Sequence, residues 1–178
     1  MAKASNVDNE QPVMVVVGLD PGLANLGLGA VREVGNQAHY LDSQLLRTPS
    51  TMPQAERLAL IYEQTRDFLE QHQPQMLAIE GQYFHQQRDT AFKVGQAVGV
   101  CSLVAAHLHI PMVEYGPLQV KQSLVGSGRA SKEQVRYMVR AMLNMTRLPS
   151  SHHSADALAL ALTHLSARRI GGMGVRSG

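Results

Sequence analysis

Tryptophan is absent from the 178 residues and all aromatics together make up 4%, so any stacking on a ring rests on few side chains. Cysteine occurs once, at Cys101. An internal disulfide is therefore excluded, and a reducing compartment, the cytoplasm, is expected. Its setting, "GVCSLVAA", predicts a small buried hydrophobe rather than a reactive thiol. No apolar run reaches the ~18 residues that a spanning helix needs. The first such run, "VMVVVGL", leads into a carboxylate without a small-residue cleavage site, which argues against a secretory leader. A G-x-G-x-x-G turn is also missing, because "GLDPGLANLG" has the wrong spacing, and dinucleotide-dependent redox chemistry drops out. Neither a cysteine-rich nor an H-E-x-x-H zinc pattern is present. Net charge is only +2, so the local placement of Lys and Arg, not the global balance, must speak for or against nucleic acid.

What remains is an ordinary globular composition, 44% hydrophobic and 17% charged, at a length that suits one domain. Residues 1–12 are polar and aperiodic and predict a flexible N-terminal arm. Residues 13–168 predict a single α/β domain, and 169–178, within "SARRIGGMGVRSG", a flexible basic C-terminal tail able to touch nucleic acid. "VMVVVGLD" has the β-branched content of a strand buried on both faces, followed by a Pro-Gly turn. "NLGLGAVREV" and "QAHYLDSQLLR" continue a meander through a hairpin turn at "VGNQ". Helical spacing from Pro53 to His72, a strand in "QMLAIE", a long helix over 88–108 and a strand in "PMVEY" follow. Three helices complete the chain, the second opened by Ser131. The order βββαβαβααα predicts a mixed sheet of about five strands, the first three antiparallel, flanked by helices. In the long helix, Gly95 and Gly99 thin one face, for packing within the chain or for a dimer seam.

Three carboxylates sit where elements end. Asp20 closes the first strand, Glu80 closes the fourth, and Asp156 heads a helix of Ala and Leu that must pack on the sheet. Buried charge needs compensation. If the two strands are neighbours and the helix crosses them, the three form an oxygen-ligand cluster suited to Mg²⁺ or Mn²⁺. Two such ions, about 3.5–4 Å apart, would support phosphodiester hydrolysis. Either His152 or His153 can share the helical face of Asp156, and spacing alone does not choose.

"GLDPGLANLGLG", "LAIEGQYF", "YGPLQVKQSLVGSGRASKEQV" and "HHSADALALALTH", in this order, resemble the RuvC family of Holliday junction resolvases from about residue 13 to 167. The resemblance implies a ribonuclease H-like fold, a homodimer, and paired metal-dependent nicks in opposed strands of a four-way DNA junction. It also implies a branch-migration helicase complex as partner. Position by position, the family's catalytic and metal-binding carboxylates fall on Asp20, Glu80 and Asp156. Many members carry a further aspartate where this chain has His153, which some bacterial members share. Imidazole there leans toward Mn²⁺ as a ligand, or else carries a proton to or from the reacting oxygens.

On the DNA side, Lys121 and Lys132 match lysines that the family places close to the scissile phosphate, where positive charge offsets the transition state. Tyr83 and Phe84, in the segment after Glu80, supply the aromatic for a stacking wedge. Arg88, Arg129 and Arg136 are further candidates for phosphate contact. His164 is expected to bond away from the cluster. One alternative keeps the fold but changes the substrate, a related nuclease acting on structured RNA in ribosomal RNA processing.

Overall fold

The computed structural model describes residues 13–81, 88–149 and 151–173, with side chains of 88–90 and 171–173 set aside. The chain runs β1 (Val13–Asp20), β2 (Asn25–Val34), β3 (Gln37–Arg47), α1 (Gln54–His72), β4 (Met76–Glu80) and α2 (Arg88–His107). It continues through β5 (Met112–Tyr115), α3 (Pro117–Val125), α4 (Lys132–Met142) and α5 (His152–Met173). One five-stranded sheet results, in the order β3-β2-β1-β4-β5. The meander is antiparallel, while β1–β4 and β4–β5 are parallel. This is the expected α/β architecture with its first three strands antiparallel.

Local chemistry explains the boundaries. β2 and β3 are joined by Gly35 and Asn36 alone, and Gly35 takes φ 61°, the left-handed region that a tight hairpin demands. α3 begins with Pro117 at its first position. α4 carries a reciprocal cap: the Gln134 N–H donates to Ser131 Oγ at 3.2 Å, and the Ser131 N–H donates to Gln134 Oε1 at 2.8 Å.

Alternation along the strands divides the core in two. Val17, Leu19, Leu28, Leu77 and Ile79 pack with Phe68 of α1 and Cys101 of α2 on one side. Val16, Val31 and Ala78 face the other side, with Val135 and Val139 of α4 and Leu158 and Leu162 of α5. Burial pushes the Cys101 thiol up to about 12, which makes it an inert packing group as expected.

α5 approaches the sheet so closely that side chains are excluded beneath it. Gly18 and Gly29 are paired across β1 and β2, and Gly27 lies two residues along the same face. A Cβ on Gly18 would stand 1.8 Å from the Ala157 carbonyl oxygen, and one on Gly27 would stand 2.2 Å from that of His153. Both positions require glycine because backbone meets backbone. Toward its other end, α5 is anchored by charge. Glu33, 1% exposed, accepts from Arg168 Nη2 at 2.8 Å and from Arg169 Nε at 2.6 Å.

Two sequence expectations change here. The tail drawn from residue 169 is helical through Met173, and Arg168 and Arg169 answer the buried Glu33 instead of standing free for nucleic acid. The carboxylate needs them, since an uncompensated buried charge is destabilising. The small-residue face of α2 has no partner among the described residues: a Cβ at Gly95 or Gly99 would meet none of them within 4 Å. On that same face Phe92 is 67% and Leu103 50% exposed. The arm at 1–12 and the remainder of the tail lie outside the described residues.

Candidate active site

The pairing that builds the sheet also builds the site. Val16, Gly18 and Asp20 point to the α5 side of β1, and Met76, Ala78 and Glu80 to the same side of β4. The parallel register Leu19 to Ile79 therefore sets Asp20 and Glu80 side by side at the ends of neighbouring strands. The first turn of α5 lies over them. Ser151 caps it, its Oγ accepting from the Ser154 N–H at 3.4 Å, while Ser154 Oγ donates to the Gln44 carbonyl of β3 at 3.1 Å. With Gly27 beneath the His153 carbonyl, this fixes the helix in depth and in rotation.

His153 and Asp156 consequently face Asp20 and Glu80 across a cleft of about 210 Å³, which Lys121 and Lys132 also line. His153 Nδ1 lies 2.6 Å from Asp20 Oδ2. Of the two imidazoles left open by spacing, it is His153 that reaches the carboxylates, whereas His152 is exposed. Lys132 Nζ stands 3.9 Å from Asp156 Oδ2 on a side chain 77% exposed, a contact that water screens strongly. His164 bonds elsewhere, as expected, its Nδ1 2.9 Å from the Tyr115 hydroxyl. Burial and the nearby Arg168 hold its imidazole below the usual range. Arg129 sits in the turn ahead of α4 and does not line the cleft. Arg88 opens α2, and Tyr83 and Phe84 lie outside the described residues.

Burial raises all three carboxyls above their ordinary values. For Glu80 the charges of Asp20 and Asp156 add to that rise. For Asp20 the His153 bond opposes it, and for Asp156 Lys132 does. Ionising these groups together is thus unfavourable in the fold. Unfolded, they ionise near 3.8 for Asp and 4.5 for Glu. Because the folded values are higher, their contribution to stability is complete below those numbers and is lost as pH rises through the raised folded values. Glu80→Gln should therefore raise the melting temperature of the metal-free protein at pH 7, by an equivalent of about 0.5–2 kcal/mol. The gain should vanish near pH 4, where the parent carboxyl is protonated as well. Thermal melts in chelator at the two pH values check this, and an unchanged or lower melting temperature at pH 7 would refute it.

Sequence reading missed the residues that place these groups, namely Gly18, Gly27, Gly29, Ser154 and Glu33. A signal for two of them was available. Glycines at alternate positions inside a strand, as in "NLGLGAV", mark a face against which another backbone comes close.

A mixed sheet in this order, with carboxylates ending its first and fourth strands and a third on the closing helix, is the arrangement of a ribonuclease H-like domain. The family model for the crossover junction endodeoxyribonuclease RuvC matches residues 16–164. The chain belongs to the RuvC family. The solved structure of Thermus thermophilus RuvC is 41% identical, covers 89% of this chain and 97% of its own, and superimposes with a TM-score of 0.84. The Thermus thermophilus protein in complex with Holliday junction substrate gives 0.85 at 41% identity, covering 89% of this chain and 96% of its own. The crossover junction endodeoxyribonuclease RuvC of Desulfitobacterium hafniense is 42% identical over 151 residues, 85% of this chain and 92% of that protein. Nucleases of this family depend on divalent metal. Membership favours DNA junctions over the structured-RNA alternative.

Proposed function

We propose that this chain resolves four-way DNA junctions in the cytoplasm as a homodimer, each copy making one of two hydrolytic nicks in opposed strands. What supports this most is the meeting of Asp20, Glu80 and Asp156 with Lys121 and Lys132 around one open cleft. Carboxylates that hinder one another's ionisation form a donor set fitted to hard cations. Among the described residues no three His, Cys, Asp or Glu side chains are gathered closely enough to count as a formed metal site. Asp20, Glu80, His153 and Asp156 would hold Mg²⁺ or Mn²⁺, two ions per site, which supply water activation and stabilisation of the leaving oxygen.

The chain's own groups do the rest. Lys121 and Lys132 set positive charge beside the phosphate where negative charge builds up. His153, with Nδ1 at Asp20, has Nε2 left for a ligand bond or a proton. A ligand role predicts that His153→Asp retains cleavage, whereas His153→Ala loses about 10²–10³-fold. His152→Ala should stay close to the parent in single-turnover rate, and damage there instead would overturn the helical register assigned to the site. Tyr83 and Phe84 provide the stacking wedge, and Arg88 and Arg129 add phosphate contacts. The exposed Phe92–Leu103 face of α2, with Gly95 and Gly99 open, supports a dimer seam. A branch-migration helicase complex delivers the junction.

The test offers the purified protein a mobile four-way DNA junction, a linear duplex and a structured RNA, with Mg²⁺, Mn²⁺ or chelator. Symmetric paired nicks in the junction alone, lost in chelator, are expected. Equal cutting of all three substrates would defeat the proposal.

A further inference from the structure

α4 borders the cleft, and one flank of it is basic at a fixed interval. Lys132, Arg136 and Arg140 recur every fourth residue and so form a single row beside the buried Val135 and Val139. At about 1.5 Å of rise per residue the row spans roughly 12 Å. A duplex strand advances about 3.4 Å per nucleotide, so that length matches three to four nucleotides.

The row begins at the site, with Lys132 3.9 Å from Asp156. Beyond it, Arg136 feels the charges of Glu133 and Asp156 at a distance, but neither it nor Arg140 is held by a carboxylate contact among the described residues. Arg136 Nε is buried with no hydrogen-bond partner among the described residues, although buried polar atoms are almost always paired. Arg140 lies 5.5 Å from the centre of the Tyr137 ring, and that ring is 60% exposed. Neither arginine forms an ion pair among the described residues. Cations four apart on a helix repel, and α4 offers only Glu133, in its first turn, as an acid. A polyanion laid along this flank would relieve the repulsion.

We propose that Lys132, Arg136 and Arg140 form a phosphate-tracking ridge that holds the backbone of one junction strand as it leads away from the cleft. This deepens the reading of the chain as a junction nuclease and rests on it. The two arginines act on the strand beyond the cut and add binding register.

The test measures binding of a four-way DNA junction by the full chain in chelator, across a salt series. Arg136→Gln with Arg140→Gln should flatten the slope of log affinity against log salt by about 1.8, some 0.9 for each phosphate no longer neutralised. Arg140→Gln alone, at an exposed position, should give half of that change even if the double variant folds poorly. Replacing both by lysine should restore the slope. Arg66→Gln, on α1 across the sheet, should leave it at the parent value. A parent that binds the junction, paired with an unchanged slope in Arg140→Gln or an equal flattening in Arg66→Gln, overturns the ridge alone. A parent that does not prefer the junction to duplex overturns the junction reading beneath it.

Discussion

Asp20→Asn should lower junction cleavage by about 10³-fold or more while junction affinity stays at or above that of the parent. A group whose contribution appears only in the transition state typically accounts for about 10²–10³-fold, and loss of a central ligand adds to that. Asp20 touches both neighbours that matter: it stands beside Glu80 through the strand register and it holds His153 at 2.6 Å. Asparagine keeps the shape and leaves an oxygen to accept from the imidazole, so the fold and His153's position persist. It removes a negative charge from a surface that must receive a phosphate, which is why binding should not fall. Single-turnover cleavage, with binding measured in chelator, separates the two effects. Cleavage near the parent rate would remove Asp20 from the reaction.

Gly18→Ala should cost more than about 3 kcal/mol, beyond the usual range for overpacking. The added carbon would lie 1.8 Å from the Ala157 carbonyl oxygen, an atom of backbone that no rotamer change can move aside. α5 must lift from the sheet, and the packing of Leu158 and Leu162 goes with it. Gly27→Ala should behave differently. Its clash is with the His153 carbonyl, in the first turn, where the helix end can tilt. Much of the fold survives there while His153 and Asp156 move, and displacement of about 1 Å can reduce rate about 10²-fold. Chemical denaturation and single-turnover rates on the two variants would distinguish these outcomes. Parent-like stability in Gly18→Ala would contradict the close approach of helix and sheet.

The order of elements was legible because each carries its own periodicity, from the β-branched run of β1 to the helical spacing of α1. The carboxylates were legible for a related reason: a charge at the end of an apolar run, as in "VMVVVGLD" and "MLAIE", cannot be a packing residue. Spacing alone could not choose between His152 and His153, and only the family resemblance pointed to His153. They differ by about 100° around a helix whose rotation is fixed by Gly27 and by the bond from Ser154 to Gln44, contacts distant in sequence. Glu33 was equally hidden, since one acid in a strand has no local mark of burial. Only the α5 packing shows that Arg168 and Arg169, 135 and 136 residues away, exist to meet it.

That clamp decides where the domain can be cut. A version ended after residue 168, where composition turns tail-like, would keep all three carboxylates, His153 and both lysines, yet it would deprive Glu33 of the shorter of its two arginine bonds. Ended one residue earlier, it would leave that carboxylate, 1% exposed, with neither. Such a protein would hold every group the chemistry needs on a helix detached at its far end, so a shortened chain should fail by loosening its site rather than by losing any part of it.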